Sequence, residues 1–224
     1  MEGEDMTLKR VTFFVILGLC CTFALRTLGT FSPHAFVSPL AARMVKVVFL
    51  FSTLVLISFF LLFRRDYARG GRAALNAPSV LVIIGLCVIV VFHIKDLLLT
   101  FDSLVINMYE MSPSFFRFVR SHCPEALISW LSSIFLLYFF AVLRGQTHDP
   151  KLARLRNATV WAVAGSSIRA FLLAFPLVGC VYLEHLGWSH RLLRTLTFIS
   201  VPLMTFSFVA ILYFFVTFYR QTRR

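Results

Sequence analysis

Acidic residues are scarce in this chain: ten Asp and Glu stand among 224 residues, and charged side chains of both signs reach only 14%. Soluble chains carry about 25% charged and about 45–50% apolar residues. Here 59% are hydrophobic and Phe alone contributes 26 residues, for a mean hydropathy of +0.84. A soluble fold of this length could not hide so much apolar surface. The shortage of charge thus excludes a soluble enzyme. The lack of any low-complexity tract excludes a disordered chain. The five cysteines include no CxxC pair and do not build a secreted disulfide framework; redox chemistry is not expected. Period-2 alternation is missing too, and with it the membrane barrel strand. What is left is a bundle of membrane helices, which satisfies backbone polar groups internally.

Six apolar stretches read as spans of an all-α, polytopic membrane protein, a single integral domain over 1–224: 11–31, 44–63, 78–96, 126–143, 158–183 and 195–219. Each approaches the roughly 20 residues that a bilayer core requires. Pro78 suits a first helical turn, and Arg64-Arg65, Lys95-Asp96 and Arg144 stop their helices. The segment 97–109 is too apolar for an open loop; it either extends the third helix or lies along the interface. The connection 64–77, rich in Gly and Arg, reads as a flexible loop. The run after Lys9-Arg10 has no small-x-small cleavage site before Arg26, so it reads as a retained anchor and not as a removed signal.

The formal charge is +12, which on a soluble domain would point to nucleic acid. Here the basic residues fall in short runs between spans, so no nucleic-acid partner is expected and membrane lipid is. With both termini cytoplasmic, 13 Lys and Arg lie in inner segments and 8 in outer ones, the bias of the positive-inside rule. The only N-x-S/T sequon, at Asn157, then faces the cytoplasm and stays unmodified.

Soluble-enzyme motifs are absent: no GxGxxG, P-loop, HExxH or GxSxG occurs. Gly165-Ser166-Ser167 could suggest an intramembrane nucleophile, but no histidine accompanies it, and small residues there fit close helix contact. His185, His190 and Glu184 supply too few ligands for a metal, and His93 reads as a cap on the third helix. No enzyme activity and no cofactor are expected. Arg169 is different. It lies 11 residues into a 26-residue apolar span, where a charge is costly unless it faces a partner or water. With Arg26, near the outer end of the first span, it could line a polar cavity suited to a carboxylate. The competing reading pairs Arg169 internally and lets Arg26 snorkel to the interface.

At these residues the chain resembles the KDEL receptor family, the ER lumen protein-retaining receptors. Met44–Tyr67 resembles the family's MK-V-V-aromatic helix and its basic turn. Arg26, 20 residues before Lys46, lies near the family's arginine in the preceding helix. Trp130, Ser133, Ile134, Phe135 and Leu136 resemble its W-x-x-S-I-Y-L helix start. Arg169, 39 residues after Trp130, falls at the arginine of its YR pair. The resemblance implies a seven-span fold of which these would be the last six, and a cytoplasmic C-terminus. Gly29 and Leu137 stand where the family has acids, Phe175 and Gly179 where it has a polar residue and a second arginine, and its first helix has no counterpart.

The expected function is a multi-pass receptor or transporter-like protein of the endoplasmic reticulum or Golgi, engaged in protein transport. Arg169, Arg26 and Trp130 are its candidate ligand-binding residues, for an anion or a peptide C-terminus. The alternative is a non-catalytic structural subunit of a larger complex, with protein partners inside the membrane.

Overall fold

The structure is a computed structural model and describes residues 2–31, 39–68, 73–99, 114–147, 153–186 and 190–221. Side chains are described over a narrower set, which leaves out Arg26, Asp96 and 175–198 among others. Six long helices account for almost all of it: α1 (Glu2–Phe31), α2 (Pro39–Phe63), α3 (Asn76–Leu99), α4 (Ser114–Gln146), α5 (Ala153–Leu186) and α6 (His190–Gln221). No strand occurs among the described residues. Pro39 opens α2 and Pro78 sits in the first turn of α3, positions where the missing N–H has no intrahelical partner to lose.

Five helices contain segments long and apolar enough to cross a membrane: Thr7–Leu25, Arg43–Asp66, Asn76–Lys95, Ala126–Gln146 and Ile199–Gln221. The exception is α5, whose described part carries Arg154, Arg156, Asn157 and Arg169, with Gly165, Ser166 and Ser167 at its middle. The outward faces agree with apolar surroundings. Large hydrophobic side chains stand exposed on every helix, among them Phe14, Phe51, Val91, Tyr138, Phe171 and Val209.

The helices outrun the expected spans: α3 continues past 96 to Leu99, and α4 begins at Ser114, ahead of the span expected at 126–143, and runs through Pro124. The expectation for 97–109 falls largely on residues outside the described ones. Nor is 64–77 simply a loop: a π-helical turn (Arg64–Ala68) prolongs α2 and a 3-10 turn (Ala73–Leu75) leads into α3. Arg64 Nε donates to Asn76 Oδ1, and Arg65 pairs with Asp66 at 2.9 Å.

Each helix packs on the next, and α6 returns against α1, so the six close a ring. α1 and α6 run antiparallel: Phe13 meets Tyr219 while Phe23 stacks on Phe208 at 4.7 Å, ten residues on in α1 and eleven back in α6. The start of α1 and the end of α6 therefore lie at one end, here the terminal end. Three helix pairs close on a glycine. A Cβ on Gly18 would lie 3.0 Å from Ser52 Oγ, on Gly85 2.7 Å from Ser132 Oγ, and on Gly165 2.8 Å from the Ser207 carbonyl oxygen. In lipid, where helices gain little from hiding apolar surface, such close backbone approach is a main source of cohesion.

The interior is filled unevenly. At the terminal end, eight phenylalanines meet in the middle of the ring: Phe59, Phe60 and Phe63 from α2, Phe139 and Phe140 from α4, Phe214, Phe215 and Phe218 from α6. They pack edge to face, Phe60 on Phe139 at 4.9 Å, Phe140 on Phe214 at 4.8 Å and Phe59 on Phe215 at 5.1 Å, the geometry the ring quadrupole favours. α1, α5 and the 3-10 turn before α3 complete the layer with smaller residues, including Leu8, Leu155, Ala158, Ala162 and Leu75.

Candidate functional site

Beyond the phenylalanine layer the ring is not filled. A cavity of about 190 Å³ opens between α1, α2, α3, α4 and α5. Val82 and Leu136 belong both to its wall and to the buried core, so the aromatic layer is its floor. Ala162 of α5 belongs to that core. Arg169 follows it by two helical turns, about 10.5 Å along the axis at 1.5 Å per residue. That rise places its backbone well away from the floor, and its side chain lines the cavity.

The polar part of the lining is Arg169, His93 and six hydroxyl residues: Thr22, Ser52, Thr53, Ser129, Ser132 and Ser133. Their hydroxyls are not equivalent. Thr53 donates to the Phe49 carbonyl at 2.8 Å and Ser133 to that of Ser129 at 2.9 Å, the back-bonding by which helices hold hydroxyls in apolar surroundings. Each keeps an oxygen able to accept. Ser52 donates across to the Gly18 carbonyl at 3.1 Å and accepts from Thr22 at 3.2 Å, tying α1 to α2 in the cavity wall. The Ser132 Oγ has no partner and is buried, wedged where Gly85 leaves room for it. The rest of the wall is apolar, with Phe49, Leu56, Leu86, Ile89 and Phe92. The Phe49 and His93 rings lie 6.5 Å apart.

No carboxylate is among the described lining residues. Their polar positions are Arg169, His93 and hydroxyls, and the rest of the described lining is apolar. That suits a group bearing negative charge on an apolar body, since hydrogen bonds from a guanidinium to an anion are among the strong ones.

Of the three residues expected from sequence, the cavity brings in one. Arg169 lines it. Trp130 is half-buried on α4 and is not among its lining residues, although Ser129 on one side and Ser132 on the other are. Arg26 follows Thr22 by four residues in α1, but its side chain lies outside the described residues. His93, read from sequence as a helix cap, is a wall residue. Of the hydroxyls only Ser133 stands out in the sequence, and there as a motif position; Ser129, Ser132 and Ser133 at helical spacing i, i+3, i+4 are the signal for the group.

Other expectations find these placements. Gly165 is where α5 touches α6, and Ser166 beside it is buried with an unpartnered Oγ. Cys20, Cys21 and Cys87 are free and exposed on the apolar outside. The side chains of Cys123, Cys180, Glu184, His185 and His190 lie outside the described residues. No cluster of three or more metal-ligating side chains occurs among the described ones.

Taken together, the fold defines a multi-pass, all-helical membrane protein with a cavity between its helices that Arg169 lines. No family model, no curated protein and no solved structure matches the chain.

Proposed function

We propose that the chain is a receptor or transporter-like protein of the early secretory pathway, in the endoplasmic reticulum or Golgi, that holds an anionic group in the Arg169 cavity. On this reading all six helices cross the membrane, with both termini in the cytoplasm. The group held is a carboxylate, such as a peptide C-terminus, as the resemblance to the retention receptors would imply. The site binds and does not transform its ligand. One observation carries the reading: Arg169 lines a cavity together with His93 and a set of hydroxyls, above an apolar floor.

The test is affinity for C-terminal tetrapeptides, measured between about pH 5 and pH 7.5, where histidine titrates. Binding that falls at least tenfold in Arg169→Ala, with the variant still folded, supports the site. Absence of binding across the whole range removes the retention-receptor reading. Orientation is checked separately. Asn157 is exposed at the start of α5 and is expected to carry no glycan, while an acceptor sequon engineered between α3 and α4 is expected to be modified. The reverse pattern would invert the topology.

A second reading, a structural subunit of a larger membrane complex, draws on a different feature. Trp161, Phe206, Val209 and Tyr213 line an apolar lateral groove of about 310 Å³ between α5 and α6. Co-purification of a partner at fixed stoichiometry, lost on substitution in this groove, would select it.

A further inference from the structure

The lateral groove between α5 and α6 shares no lining residue with the Arg169 cavity, so what it holds is independent of the anion-holding reading. Ala210 is buried at its bottom, and rings form its rims. Trp161 and Phe206 meet edge to face at 5.9 Å, and Tyr213 stands half-exposed one turn beyond Ala210. Helices approach closely in lipid where both offer small residues. At this junction the small residues, Gly165 and Ala210, already meet each other. Outward the groove presents large side chains, which hold a further helix off. A flexible hydrocarbon chain fits between them.

The groove has a basic end. Arg154 precedes Trp161 by seven residues on α5, and Arg220 follows Tyr213 by seven on α6. Seven residues fall about 20° short of two full turns and rise about 10.5 Å, so each arginine lies on the same face as its aromatic residue. Ala158 and Ala162 of α5 share the terminal-end core with Phe214 and Phe218 of α6, while Gly165 meets Ser207 further from that end. The two helices are therefore antiparallel, and both arginines stand at the terminal end, exposed. Neither helix has an acidic residue among its described side chains.

We propose that the groove holds an acyl chain of an anionic phospholipid from the leaflet at the terminal end, with the head group at Arg154 and Arg220. The chain runs along Val209 and Ala210 between the rings. The guanidinium forks bind the phosphate. A zwitterionic phospholipid offers the same phosphate but brings its own cation to the two arginines, which disfavours it.

Trp161 is its own reporter. The full-length chain carrying Trp130→Phe and Trp188→Phe is reconstituted in phosphatidylcholine nanodiscs, where brominated acyl chains quench Trp161 by contact. Brominated phosphatidylglycerol is expected to quench it with an apparent affinity at least about fivefold above that of brominated phosphatidylcholine. Arg154→Gln combined with Arg220→Gln should remove the preference, while continued quenching by phosphatidylcholine shows that the variant is folded. Phe14→Trp, in a chain that also carries Trp161→Phe, places the reporter on an exposed face of α1 four residues from Arg10 and outside the groove. It should show no such preference, and this comparison does not need the arginine variant. Equal quenching of Trp161 by the two lipids, an equal preference at the Phe14 site, or a preference that survives loss of both arginines overturns the proposal. So does a Trp161 that neither lipid quenches, the result expected if a protein helix covers the groove. Peptide binding at Arg169 is untouched by any of these outcomes.

Discussion

Phe139→Ala is expected to lower the stability of the bundle by about 3 kcal/mol, the low end of the range for removing a buried phenylalanine. Phe139 is wholly buried and touches three other rings, Phe60 at 4.9 Å, Phe63 at 5.3 Å and Phe140 at 5.4 Å. Truncation removes those contacts and leaves a void that neighbouring rings cannot fill without leaving their rotamers. In a soluble core, much of the penalty is the loss of transfer from water. Here the unfolded helices still sit in lipid, so that part is small, and lost dispersion carries the effect. Unfolding in mixed micelles measures it. Phe13→Ala, an exposed ring on α1, is the comparison and should change the midpoint little. Equal midpoints for the two variants would mean that the phenylalanine layer does not hold the ring closed.

The second large effect is at Gly165. Its alanine Cβ would approach the Ser207 carbonyl oxygen to 2.8 Å and the Ala210 Cβ to 2.9 Å. Both belong to the body of α6, and neither is the tip of a flexible chain. The two helices must move apart, at a cost of about 1–3 kcal/mol, typical of overpacking. Gly145, near the end of α4, has nothing within 4 Å of the same added carbon. Gly145→Ala should therefore be neutral, or stabilising by up to about 1 kcal/mol from helix propensity. Thermal melting of the two variants side by side gives the answer. A Gly165→Ala protein as stable as Gly145→Ala would contradict the close α5–α6 contact.

The helices were legible because lipid imposes a simple code: long apolar runs stopped by arginines. The span read as 44–63 lies inside α2, 78–96 inside α3 and 195–219 inside α6. Boundaries were less legible where apolar content fades before the helix does. Ser114–Cys123 continues α4 outward in a sequence too polar to count as a span. The site was legible only at its charge. Arg169 announces itself because a lone cation in an apolar run is expensive. A serine announces nothing, since its hydroxyl can satisfy itself on its own helix, as Ser133 does. Which serines share one cavity depends on helix rotation and on Gly18 and Gly85 drawing their partners close. That information lies between helices and not along any of them. Trp130 was singled out by its place in a motif, and a motif position does not fix which way a helix turns its faces.

The phenylalanine floor has a consequence for sidedness. The rings from α2, α4 and α6 seal the ring of helices at the terminal end, and an ion or carboxylate could not pass them without shedding its hydration. Anything that reaches Arg169 must arrive by another route. With the helices arranged as they are, the cavity is a vestibule with a closed back. On the proposed anion-holding reading, a solute behind the phenylalanines would have no direct path to Arg169, and occupancy would follow the solutes on one side alone.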